Sequence, residues 1–499
     1  MTFRLPAFLA LTTFASAADP APAGPVSYYK QVRPVLQGAC HGCHQPAKNK
    51  GGYIMTDFAA LVKGGDDDGA AIVPGKPAES ALLKNITAGA DGKVKMPKKG
   101  DPLKPAEIAL ITRWITEGAH DDTPANAIQR YTPEHPPVYL LPPGINSLAW
   151  SPDGQTLAIA GFHEIILYKG DGSAPAGRLI GLSERLTTVR YSPDGKYIAA
   201  TGGLPARMGE VQVWETATQK LKLSVPVTFD TTYGASWSPD SKLLAFGCAT
   251  DKSVRAINAE TGTQVLFMAS HDDWVLDTVF STKGDHVISV GRDQTAKLTE
   301  LATQRFMDNL TSITPGALKG GLAAIDRQPQ RDEILVGGAD GVPQIYRMVR
   351  LVQRRIGDNS NLVRKFPAMP GRIWSVHYRA DGKQCLATSS LDGKGAVNLY
   401  NAEFDTNLPD NIKGIFGKTS TDRNPAEVAA VEKYQTDGAT LLHHLDFPCG
   451  IYTAQFSPDG KTVAAAGQDG LIRFINTADG KVVKEFLPVT LTPAVNAGK

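Results

Sequence analysis

Residues 38–44 read Gly-Ala-Cys-His-Gly-Cys-His, so Cys40 and Cys43 place two thiols three positions apart and His44 follows the second. Two thiols spaced this way on a helical turn each add to one of a haem's two vinyl groups, forming thioethers. The adjacent imidazole then lies under the ring and ligates iron. This five-residue pattern is the attachment signature of c-type haem. Other chemistries need partners that the chain lacks. Structural zinc takes four nitrogen or sulfur ligands, often as two pairs, but there is no second close cysteine pair, and His41 with His44 alone makes a poor site. A redox dithiol of the thioredoxin kind belongs in a βαβ context, which is missing around these residues. The expectation is one covalently attached haem c, with Cys40 and Cys43 as thioether anchors and His44 as proximal ligand.

A second axial ligand is expected from Met96, in Gly-Lys-Val-Lys-Met-Pro-Lys-Lys. In so polar a stretch a thioether has little reason to be buried unless it faces something apolar such as haem. Axial His with Met raises the iron's potential. Met55 is the rival, although a buried Met is more often core filler; His120, His135 and an open or water-bound position are the remaining alternatives. Lys93, Lys95, Lys98, Lys99 and Lys104 surround the proposed distal ligand. They read as a solvated loop or as a docking field for an acidic redox partner, since such fields raise encounter rates.

The elements that must hold these residues are helical. Residues 27–36 form a helix leading into the cysteines, and residues 104–119 form a second, with Ile108, Ile111, Trp114 and Ile115 on one face. Pro105 opens that helix and Gly118 lies where its cap falls. Between them run about fifty residues that read as loop. Its Gly-Gly-Asp-Asp-Asp-Gly segment, 64–69, lacks the spaced ligands and distal Glu of a calcium loop and reads as a solvated turn.

Residues 28–120 resemble the planctomycete-type cytochrome c domain. The matching stretches are ACHGCH, KGG at 63–65, IVPGKPAESALL at 72–83, KMPKKGDPL at 95–103 and EIALITRWITEGA at 107–119. The resemblance implies a class I-like all-α cytochrome fold with His44 proximal and Met96 distal.

Beyond a Pro-rich linker the periodicity changes. Tetrapeptides related to Ser-Pro-Asp-Gly start at Ser151, Ser192, Ser238, Ser281, Gln328, Arg379 and Ser457, and each is followed by an apolar strand and a Gly-rich turn. The starts lie 41 to 51 residues apart until a last gap of 78, a period that signals one four-stranded propeller blade per repeat. Residues 270–300 resemble a WD-repeat blade, with His271 and Asp293 at the family's structural His and Asp positions; Trp214 occupies its Trp position in another repeat. The expected architecture is therefore multidomain. A leader at 1–17 and a linker at 18–27 precede a cytochrome c domain at 28–121. A Pro-rich linker at 122–137 leads to an all-β, seven-bladed WD-repeat-like propeller at 138–490, with an insertion at about 403–445 and a tail at 491–499. That insertion carries a short surface helix but no tetrapeptide and no Gly-rich turn, so it is not read as an eighth blade.

Arg4, the apolar run Leu5–Phe14 and Ala15-Ser16-Ala17 have the form of an export signal, which implies a soluble, periplasmic protein with a mature start near Ala18. No segment is long and apolar enough to span a bilayer, and a net charge of +2 argues against nucleic acid as a partner. Cys248, Cys385 and Cys449 read as buried small hydrophobes, with a Cys385–Cys449 disulfide as the lesser alternative. Residues 347–372, rich in arginine, read as a solvated extension of an outer strand. No Ser-His-Asp set, phosphate loop or paired-carboxylate motif is present. The functional expectation is an exported single-electron carrier, not a catalyst, whose propeller binds a partner or ligand. The alternatives are a haem oxidoreductase with a propeller substrate site and a redox-sensing or structural scaffold.

Overall fold

The computed structural model describes residues 24–492, apart from 42, 46–47, 67–68, 99–100, 124–130, 206–207, 229, 313–318 and 356–358. The leader expected at 1–17 lies outside the described residues, as do Lys99, Asp67 and Asp68.

The N-terminal region is mostly helical. The Ser27 side chain accepts from Lys30 N at 2.9 Å and starts a turn at Tyr28–Val32, which continues into α1 (Arg33–Ala39). Short helices α2 (Phe58–Lys63) and α3 (Ala81–Ile86) lie within the segment read as bare loop. Six residues make fewer than two turns, too few for a helical period to register in the sequence. The last helix, α4 (Pro105–Thr116), starts with proline in its first turn, and Glu107 accepts from Lys104 N at 2.7 Å. It stops at Gly118, whose φ of 104° disfavours any residue with a Cβ. Trp114 stacks on Tyr28 at 5.3 Å, and Phe58 meets Tyr28 edge-on at 4.8 Å. Around these rings Val32, Leu36, Leu61, Ile72, Ile86, Ile111 and Ile115 form one buried core.

From Ser147 onward the chain is a series of antiparallel sheets in the manner of a WD-like propeller. Five sheets have four strands each, and one has seven. The seven-stranded sheet spans the first two repeats because one strand, Pro175–Tyr191, pairs with both. Four of the tetrapeptide turns share one mechanism. Ser151, Ser192, Ser238 and Ser457 each donate to the Asp two residues on, at 2.5 to 2.6 Å, and accept from the amide five residues on. Gly195, at φ 72°, packs over Pro152 of the preceding repeat.

Successive repeats are also stitched together by side chains on their innermost strands. Val189 N donates to Ser147 Oγ, Ile325 N to Asp277 Oδ2, Ala454 N to Ser375 Oγ and Leu148 N to Thr453 Oγ1, at 3.1 to 3.3 Å. In each pair the donor lies three residues before its own turn, and the acceptor lies four before the neighbouring one.

The Arg-rich stretch departs from the expectation of plain solvation. Arg350 pairs with Asp308 at 3.0 Å, and Arg354 reaches the same carboxylate. Arg347 donates to Tyr434 Oη at 2.8 Å, while the Arg364 guanidinium lies 4.8 Å from the rings of Phe404 and Tyr434. Arg347 and Arg364 thus anchor the insertion, which carries two helices, α5 (Asp410–Phe416) and α6 (Pro425–Thr436), where one was expected. Cys248, Cys385 and Cys449 are buried free thiols, and no disulfide joins the last two. No helix among the described residues is long and apolar enough to cross a membrane.

In the fourth repeat His271 Nε2 is 2.8 Å from Ser289 Oγ, and its Nδ1 is 3.0 Å from the Asp293 carboxylate. Burial alone would raise the Asp293 carboxyl, but His271, the Asp272 amide and the Thr295 hydroxyl outweigh it and bring it down to about 2. The depressed value means that this carboxylate stabilises the fold above the unfolded value of about 3.9 and loses that contribution as pH falls toward 2. Asp293→Asn should lower the unfolding free energy by about 1–3 kcal/mol at neutral pH. It should also shrink the loss of stability on acidification, as measured by denaturant titrations across pH.

Candidate functional site

Cys40 closes α1, with its amide donating to Leu36 O at 2.8 Å. The chain then turns back: Cys43 N and His44 N both donate to Cys40 O at 3.1 Å, which brings the two thiols and the imidazole into one compact turn. A two-residue ladder pairs His44 with Asn49, and Met55 N donates to His44 O at 2.9 Å. The backbone of His44 is thus held on both sides.

Cys40, Cys43, His44 and Met96 all border a single cavity of about 410 Å³. Its walls include Ala39, Met55, Ala71, Leu82 and Ile86, and Lys50 and Lys98 stand at its edge. Met96 comes from a loop 52 residues beyond His44, and its amide donates to Asn85 O at 2.8 Å, just before the end of α3. Met55 also borders the cavity, yet it belongs to the hydrophobic core at 1% exposure, whereas Met96 is only partly buried. His120 and His135 are exposed and do not border it. Of the lysine cluster, Lys93, Lys95, Lys98 and Lys104 are exposed around this loop.

The electrostatics suit a neutral ligand set. Burial, reinforced by neighbouring Cys43, pushes the Cys40 thiol up to about 12. Burial also lowers His44, against the opposing pull of the Tyr53 and Lys50 backbones, so the ring is neutral at pH 7. Its Nδ1 donates to Tyr53 O at 3.3 Å. That bond selects the tautomer that leaves the Nε2 lone pair available to a metal. His41, between the cysteines, is held down at about 3, chiefly by burial, and its Nε2 has no partner. It does not border the cavity. Among the described residues no three His, Cys, Asp or Glu side chains gather to hold a metal ion.

A flat macrocycle with two carboxylates needs apolar walls, a cationic edge and axial donors. The lining meets each requirement, so the residues present fit a haem. The sequence reading missed Tyr53. Its ring lies 5.3 Å from that of His44, its hydroxyl donates to Leu61 O at 2.9 Å, and its carbonyl orients the imidazole. A backbone carbonyl is common to every residue, so no residue type could have marked this position.

Comparison with known proteins supports two kinds of relationship. Residues 40–100, which include Cys40, Cys43, His44 and Met96, match the family described as Planctomycete cytochrome C. Residues 262–299 and 438–476 match the family described as WD domain, G-beta repeat. Periodic tryptophan protein 2 of Arabidopsis thaliana is 23% identical, across 61% of this chain and 35% of that protein. WD repeat-containing protein slp1 of Schizosaccharomyces pombe is 23% identical, across 74% of this chain and 67% of its own length. Actin-related protein 2/3 complex subunit 1A of Arabidopsis thaliana is 24% identical, across 48% and 57%. The chain therefore spans about a third of the first relative and between half and two thirds of the others. Both parts of the fusion read from the sequence are supported: a planctomycete-type cytochrome c segment followed by WD repeats.

Proposed function

We propose that this chain is an exported c-type cytochrome that carries one covalent haem for single-electron transfer, with its WD-repeat region as a seven-bladed platform for a partner or ligand. The observation that carries the reading is the single cavity bordered by both thiols of the attachment motif, by His44 and by Met96. A bound haem c would supply a reversible one-electron couple. Cys40 and Cys43 would anchor it as thioethers. His44, oriented by Tyr53 O, and Met96 would hold its iron, through Nε2 and the thioether sulfur. Two protein ligands on the iron would favour electron transfer over substrate chemistry. Ala39, Met55, Leu82 and Ile86 keep water from the centre, and the exposed Lys93, Lys95, Lys98 and Lys104 would meet an acidic redox partner.

Seven closed blades are supported by repetition across the seam. Ile145 N donates to Gly467 O at 2.9 Å between the first and last repeats, as Leu186 N does to Gly161 O between the second and first. A Cβ on Gly154 would lie 3.8 Å from Pro458, matching Gly195 over Pro152. The platform role draws on the WD relatives, one of which is named as a subunit of a complex.

Haem should remain on the denatured polypeptide after acid-acetone extraction, and Cys40→Ala with Cys43→Ala should release it; haem that extracts freely from the wild type would sink the reading. N-terminal sequencing of secreted material should start near Ala18.

The two methionines separate by the kind of damage they do. In the oxidised protein Met96→Ala should abolish the weak far-red absorption band of Met–Fe(III) and lower the potential. Met55→Ala should leave both in place but cost about 2–5 kcal/mol of stability, as for other core methionines. The opposite pattern would make Met55 the ligand. Electron transfer to an acidic redox protein should slow as salt rises through about 0.1 M, where the Debye length falls to about 10 Å. A salt-independent rate would remove the docking role of the lysines.

A further inference from the structure

Three repeats put an aromatic residue at the same place, five residues before the turn: Tyr233, Trp374 and Tyr452. All three border one cavity of about 370 Å³, enclosed by the innermost strands of the sheets. Arg190, Asp277 and His377 border both this cavity and a second one of about 280 Å³, so the two meet along the axis of the repeats. The size lies near the lower end of the small-molecule range. Most large apolar side chains here are buried, but Trp374 is 40% exposed at the mouth. Its plane is fixed nevertheless. Nε1 donates to Ser390 Oγ at 2.7 Å, Tyr452 meets the ring edge-on at 5.9 Å, and the Arg372 guanidinium lies 5.5 Å from its centre.

Charge narrows the ligand class. Arg190 is held rigidly, donating from Nη1 to Ser147 Oγ at 3.1 Å and to Val189 O at 2.9 Å, and Arg185 stands exposed at the rim. Against them is Asp277, whose Oδ1 and Oδ2 accept from Thr278 N and Ile325 N. Its carboxyl is pushed up to about 6, by burial foremost and against the attraction of Arg190 and His377. Below that pH the wall is net cationic and offers a protonated carboxyl as a hydrogen-bond donor. Fixed π faces beside a fixed guanidinium suit a planar ring bearing one carboxylate, because guanidinium–carboxylate pairs are directional and strong.

We propose that the axial mouth of the propeller binds a small aromatic carboxylate, with its ring against Trp374 and Tyr452 and its carboxylate toward Arg190. This rests on the platform reading of the propeller and is independent of haem attachment.

The test is calorimetric titration of the full chain with 4-hydroxybenzoate and its neutral counterpart, 4-hydroxybenzyl alcohol, alongside a separate determination of haem content. The carboxylate should bind about tenfold more tightly than the alcohol. Trp374→Ala should weaken both compounds, whereas Arg190→Gln should erase the difference between them. Because Arg190 also bonds Ser147, Arg185→Gln at the exposed rim provides a variant with no structural bonds to lose; it should reduce carboxylate affinity severalfold and leave the alcohol unchanged. Affinity for the carboxylate should fall as pH rises through about 6, where Asp277 ionises. Arg185, Arg190, Arg327, His377 and Asp326, which lies 3.5 Å from His377, are the other charged groups bordering the two cavities, together with the phenols of Tyr191, Tyr233 and Tyr452. Asp277→Asn should remove the part of the pH dependence that belongs to Asp277 and leave any that belongs to His377. Equal binding of acid and alcohol, undiminished binding by Trp374→Ala, or no binding of either at low-millimolar concentration would overturn the proposal. Haem-loaded chain that fails to bind refutes the ligand site alone, and binding by chain that carries no haem refutes the cytochrome reading alone.

Discussion

An amide on the innermost strand of one repeat bonds a side chain of the repeat before it, and the β-region depends on that reach. A sheet packed face to face against its neighbour would slide freely if only apolar contacts held it, because the hydrophobic effect is non-directional. The bonds to Ser147, Asp277, Ser375 and Thr453 set the offset between neighbouring sheets. They also dictate which residues face the axis. At the four bonded positions the inner strands carry short polar side chains that face the axis. Asp277 is the one carboxylate among these four acceptors, the other three being hydroxyls, and it meets the same structural need with a charge left to titrate.

The helical region applies the same economy to a single ring. Three backbone groups determine where the His44 imidazole goes: Cys40 O, Tyr53 O and the Met55 amide. None depends on side-chain type. The side chains around the cavity instead decide its polarity, with apolar walls inside and lysines at the edge.

Legibility in the sequence follows this division. The Cys-x-x-Cys-His pattern and Met96 stood out because their chemistry lies in their side chains, and the turns at Ser151, Ser192, Ser238 and Ser457 stood out because Ser and Asp each do one task that few residues share. The long helix α4 announced itself through Ile111, Trp114 and Ile115. Helices α2 and α3 did not, being too short for a period, and α5 was hidden within an insertion that offered only one capped helix, that beginning after Asn424. The arginines at 347–364 looked like a solvated face because a run of charge does not reveal which carbonyls and rings lie opposite. In the fold they pair with Asp308, Phe404 and Tyr434, 40 to 87 residues distant. Ser147, Asp277, Ser375 and Thr453 each stand four before a turn, but only the geometry shows which amide each one bonds.

One strand has a consequence of a different kind. Pro175–Tyr191, at 17 residues, is both the outer edge of the first repeat and the inner edge of the second, so those two repeats form a continuous hydrogen-bonded sheet. Among the described residues, every other boundary between repeats is an interface between separate sheets. Repeat arrays lose structure first where neighbouring units are least coupled. The propeller therefore has unequal seams, and its first two repeats behave as one double-width unit during opening. New termini cut between later repeats would preserve every strand, while a cut near residues 181–184 would divide a strand that two repeats share.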